Sequence, residues 1–89
     1  MKITMVVGKD DTLLHFADLC RNDDFRDGFI ESPDIGITTE ELLKEEMMRI
    51  KDEPRDYQNG YYIGTCYKNG STRLHKLGGR KLRTLEANI

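Results

Sequence analysis

The spacing of apolar and polar residues changes several times along the chain, and each change marks an element. "KITMVVG", residues 2–8, is apolar and β-branched up to Gly8, the pattern of a buried first strand. After it the spacing becomes helical. Leu13, Phe16, Ala17 and Cys20 share one stripe, His15 and Asp18 point away from it, and Asp11 and Thr12 are candidate caps, so a helix is predicted over 12–22. Residues 22–36, "NDDFRDGFIESPDIG", are broken by Gly28, Pro33 and Gly36 and read as an ordered acidic loop anchored by Phe25, Phe29 and Ile30.

A second helix has the sharpest start signal. Thr38 and Glu41 are spaced as a capping box, with Ile37 and Leu42 at the positions of a hydrophobic staple. Leu43, Met47 and Ile50 form its buried stripe, Pro54 follows its end, and Met48 falls on the opposite side and is predicted to be exposed.

Asn69-Gly70 is the strongest short-range hairpin signal, because both central residues of a type I′ turn need positive φ. A two-residue loop there puts Tyr61, Ile63, Thr65, Tyr67, Thr72 and Leu74 on a core face. Tyr62, Gly64, Cys66, Lys68, Arg73, His75 and Leu77 then lie on the other. Beyond Gly78-Gly79, Leu82, Leu85 and Ile89 keep helical spacing, while the glycine pair favours a turn into a further strand. The resulting expectation is an α+β domain, β-α-α-β-β(-β), with two helices on one face of a mostly antiparallel sheet and a C-terminal hairpin.

With 89 residues the chain makes a single domain over 1–89 and buries only about two thirds of its unfolded surface. So thin a core admits completion by a partner, a second copy of the chain included. Charged residues reach 34%, above the usual value of about 25%, so the surface is strongly hydrated. No apolar run approaches the roughly 18 residues of a membrane span, and the N-terminal stretch is too short for a signal peptide. A cytoplasmic protein with no membrane partner is expected, in which Cys20 and Cys66 stay reduced. The net charge of −2 conceals an asymmetry: residues 1–57 carry −7 and residues 58–89 carry +5.

These features define four candidate chemistries. His15 and Cys20, five residues apart on a helix, diverge by about 140° and cannot share one ion. Cys66 and His75 supply only two ligands, so neither metal nor other cofactor is expected. In the hairpin register Cys66 faces Arg73 and lies diagonal to His75, a geometry for a thiol nucleophile, against which stands the ordinary use of cysteine as a small packed residue. Lys68, Arg73, His75, Lys76, Arg80 and Lys81, interleaved with tyrosines, have the composition of a single-stranded nucleic-acid surface. One strand, two helices and a basic antiparallel meander is similar in layout to small ribonuclease toxins of the RelE type. That likeness implies RNA phosphate handled by Arg, Lys and His on the sheet. The acidic helices depart from the basic balance of that group, and no residue motif carries over.

Fifteen carboxylates within residues 1–57 offer the fourth chemistry, an anionic surface for a basic partner. Its contact residues are predicted to be Asp23, Asp24, Asp27, Glu40, Glu45 and Met48. The leading expectation is therefore a small non-enzymatic regulator or inhibitor that binds another protein. A nucleic-acid binder using the basic hairpin is the alternative.

Overall fold

The structure, a computed structural model, describes residues 2–10, 12–70 and 85–88. Strand β1 (Lys2–Val7) is followed by β2 (Leu13–His15) and four helices: α1 (Phe16–Leu19), α2 (Asp23–Glu31), α3 (Glu40–Arg49) and α4 (Arg55–Lys68). Strand β3 (Leu85–Asn88) closes the order. β1 is the middle of a three-stranded antiparallel sheet, pairing β2 through Met5↔His15 and Val7↔Leu13, and β3 through Lys2↔Asn88 and Met5↔Leu85.

This architecture overturns the expected two helices on a hairpin-built sheet. The body is helical, and Arg55–Lys68, which includes the first strand assigned to the hairpin, is the longest helix among the described residues. All eight residues from Asn59 to Cys66 are buried, so the middle of α4 is enclosed on every side, while Arg55 and Tyr67 near its ends are exposed. A helix buried all round shows no amphipathic period. Its aromatic and β-branched residues, Tyr61, Tyr62, Ile63, Thr65 and Tyr67, mimic a strand. Asn69-Gly70 ends α4 instead of turning a hairpin. Asn69 has φ −107°, and only Gly70 is left-handed, with φ +82°. A type I′ turn would need both residues positive, whereas a helix stop needs one. The partner strand of that hairpin, from Ser71 onward, lies outside the described residues.

The other differences also follow from local chemistry. The helix expected over 12–22 is a short strand and a single turn, in which Leu14, Phe16 and Leu19 face the core while Leu13 and Cys20 are exposed. Asp11, its candidate cap, lies outside the described residues. The acidic loop is largely α2. Asn22 caps it by accepting a hydrogen bond from Phe25 N at 3.1 Å, and Asp23 and Asp24 complement the dipole of its first turn. The cap of α3 is Thr39, one residue later than expected, its hydroxyl accepting from Leu42 N at 3.2 Å. Leu43 is buried and Met48 is 61% exposed, where the helical spacing puts them.

Three glycines fix how α2 meets α4. A methyl group on Gly60 would lie 2.0 Å from the Phe25 carbonyl oxygen, one on Gly28 2.1 Å from that of Tyr57, and one on Gly64 2.2 Å from Ser32 Oγ. The two backbones thus touch directly along this seam. Phe16 closes its far side, edge-on to Phe25 at 6.1 Å and to Phe29 at 5.8 Å between ring centroids. At one end Lys68 Nζ donates to the carbonyls of Phe29 (2.9 Å), Ile30 (3.1 Å) and Ser32 (3.0 Å), satisfying the last turn of α2. Val6 of β1, Ile37 and Leu43 join Phe25, Tyr62, Ile63 and Cys66 in the core.

Two substitutions test this seam by chemical denaturation. Gly60→Ala is expected to cost more than about 3 kcal/mol, because a backbone carbonyl cannot move aside as a side chain does. Lys68→Met, which keeps the aliphatic stem and removes the cap, is expected to cost about 1–2 kcal/mol. A near-neutral Gly60→Ala would show that the helices are not in backbone contact.

Candidate interaction site

Between α3 and the middle of α4 lies a cleft of about 400 Å³. Leu43, Met47, Met48 and Tyr62 line it with apolar surface, and Lys9, Lys44, Lys51 and Glu40 stand around them. The register of α3 explains this division. Leu43 and Met47, four residues apart, lie on the side of α4, while Glu40, Lys44 and Met48 follow one another at four-residue steps along the outer edge, with Lys51 in the turn just beyond the helix. Lys44 pairs with Glu40 at 3.1 Å.

The far rim is held by one side chain. The Gln58 amide oxygen accepts from Lys9 Nζ, while its Nε2 donates to the carbonyls of Lys51 and Glu53, both at 2.9 Å. Neighbouring Asn59, buried, accepts from Lys9 N at 3.4 Å. One turn of α4 therefore fixes both the β1–β2 connection and the segment after α3. Arg55 ties the same connection to α4 through Asp10 and through Thr12 Oγ1 at 3.2 Å.

The six residues expected to form one acidic contact surface divide between two helices. Asp23, Asp24 and Asp27 are exposed on α2, Asp23 being paired with Arg26 at 2.8 Å. Glu40 and Met48 belong to the cleft on α3, and Glu45 is exposed on the same helix. Sequence reasoning did not find the lysine side of that cleft. Lys9 and Lys51 lie far apart in the chain, and Gln58 joins the Lys9 ammonium to the Lys51 backbone carbonyl.

Of the expected nucleic-acid residues, Arg73, His75, Lys76, Arg80 and Lys81 lie outside the described residues. Lys68 is engaged with the carbonyls of α2 and stands 5.6 Å over the Phe29 ring. Cys66 is fully buried, and burial pushes its thiol up to about 12, a hydrogen bond with Tyr62 offsetting part of the rise. A thiol so hidden and so weakly acidic is a packing residue, not a nucleophile. Among the described residues no group of three or more His, Cys, Asp or Glu side chains converges as metal ligands. None of the described helices is long and apolar enough to cross a membrane.

Two tyrosines of α4 join the neighbouring helices. Tyr57 donates to Glu31 of α2 and Tyr61 to Glu46 of α3 at 2.8 Å, with the two rings stacked 6.0 Å apart. Burial, followed by the carboxylate partner, raises both phenols, Tyr61 to about 12 and Tyr57 further still. No family model, curated protein or solved structure matches this chain.

The raised acid groups predict alkaline lability. A folded pKa above the unfolded one gives stability that is complete below the unfolded value and lost as pH rises towards the folded one. For Cys66 that window runs from 9.0 to about 12, and for Tyr61 from 10.0 to about 12. The urea midpoint is expected to fall steadily above about pH 9. Cys66→Ala should lower the midpoint at neutral pH yet flatten its early decline. A midpoint independent of pH up to 11 would contradict the burial of both groups.

Proposed function

We propose that this protein acts by binding another protein, as a regulator or inhibitor does, and carries out no chemistry of its own, with the cleft beside α3 as the contact. The observation that carries this reading is the cleft itself. Exposed Met48 continues an apolar floor of Leu43, Met47 and Tyr62, inside a ring of charged side chains. An apolar centre with a polar rim is the usual anatomy of a protein-binding patch. Methionine suits such a centre because its unbranched, polarisable side chain adapts to the surface placed on it. The polar groups close by are employed in holding the rim, as half-buried Gln58 and buried Asn59 show.

Photo-crosslinking from two positions tests the assignment in cells that make the protein. A benzoylphenylalanine at position 48 is expected to capture a discrete partner. The same group at position 26, on the acidic side of α2, is expected to capture little. Capture from 26 alone would transfer the contact to Asp23, Asp24 and Asp27. Capture from neither would remove the protein-binding reading of both surfaces.

A further inference from the structure

We propose that the cleft receives an amphipathic helix of a partner protein whose apolar stripe is flanked by carboxylates, an inference that rests on reading the cleft as the contact surface. Charge gives the first reason. Three lysines, Lys9, Lys44 and Lys51, stand at the rim against one carboxylate, Glu40, which Lys44 already pairs at 3.1 Å. This positive ring sits within a segment, residues 1–57, that carries −7 overall. A partner bearing acidic side chains meets attraction at the rim and repulsion over much of the remaining surface of that segment, which favours this site over others.

Shape and chemistry give the second. A drug-sized ligand is normally enclosed over most of its surface. Here a helix laid beside α3 would bring apolar side chains at i and i+3 or i+4 down onto exposed Met48 and half-buried Met47, with Leu43 buried behind them. Its flanking carboxylates would come opposite Lys44 and Lys51 on one edge and Lys9 on the other. Nucleic acid is also anionic, but single strands are held by stacking bases on open aromatic faces. The aromatic residue of this cleft, Tyr62, is only 4% exposed. The chain's own residues 71–84 carry five Lys/Arg and no carboxylate, the same sign as the rim, and are disfavoured as occupants.

The test uses the whole protein and two sets of synthetic amphipathic peptides of about 18 residues, five turns of helix, that share one apolar stripe. One set carries glutamates beside the stripe and the other lysines. Affinity is read by fluorescence anisotropy, and the binding site by the methyl resonances of Met47 and Met48. The acidic set is expected to bind with Kd in the micromolar range, at least about tenfold tighter than the basic set. Rising salt should weaken it several-fold. Met48→Asp and Lys51→Glu should each cost about tenfold, with the melting temperature unchanged. The basic set should be insensitive to Lys51→Glu or improved by it.

Equal binding of both sets, lost in Met48→Asp, would overturn the acidic partner while the cleft remained a contact. No binding and no shift of the methionine methyls with either set would overturn both readings. Displacement of the acidic peptide by decanoate at lower concentration would replace the helix with a small amphiphilic acid. Displacement by a short oligothymidine would replace it with nucleic acid. A crosslink from position 48 into residues 71–84 of the same chain would show the cleft to be self-occupied, and the proposal would fail.

Discussion

Direct backbone contact between α2 and α4 is the constraint on which the rest of the structure depends. Each glycine of the seam costs a helix about 1 kcal/mol relative to alanine, so the three together work against helix formation. Their return is proximity: Phe25, Phe29 and Phe16 close over the contact, and Lys68 reaches the last carbonyls of α2. With α2 against its glycine face, α4 still has Tyr61, Tyr62 and Ile63 to offer to α3 and to the core residues contributed by β1 and the 32–39 connection. The cleft is a by-product of that economy. α3 packs on α4 less extensively than α2 does, and the space left between them is lined by Leu43, Met47, Met48 and Tyr62.

Charge is distributed on this frame with little waste. Glu31 and Glu46, acids that a surface reading would count as solvated, instead accept hydrogen bonds from Tyr57 and Tyr61 and fasten α2 and α3 to the central helix. Asp56 takes a hydrogen bond from Asn22 Nδ2 at 2.9 Å, linking the starts of α2 and α4. Outward on α2 stand Asp23, Asp24 and Asp27 beside Arg26 and Ile30, and the cleft is lined by three lysines and one carboxylate.

How much of this was legible depends on how local the signal was. The helix around Leu43 and Met47 could be read because its start signal and stripe lie close together in the chain, although the cap fell on Thr39 and not Thr38 and the helix ends at Arg49, short of Pro54. Met48 could be placed on the surface by the same spacing. Helix α2 was readable in principle, from Asn22-Asp23-Asp24 as cap and first turn, Phe25 and Phe29 one turn apart, and Pro33 beyond its end. Gly28 concealed it, since a glycine there signals a break unless another backbone is known to lie 2.1 Å from its absent methyl group. Helix α4 was not readable by period, because its middle, residues 59–66, is covered on all sides and carries none. The basic side of the cleft was equally hidden, because Gln58 gathers Lys9 and Lys51 from distant parts of the chain.

The seam also sets how the molecule can come apart. A helix joined to its neighbour through ordinary side chains can fray while the neighbour persists, the rotamers relaxing around the gap. Helix α4 has neither the intrinsic propensity nor an amphipathic face to remain helical without α2, and the end of α2 is completed by a lysine that α4 supplies. The two therefore form one cooperative unit. Slow amide exchange in either helix reports a single opening event shared by both, and any process that needs residue 61 or 66 exposed must wait for that event.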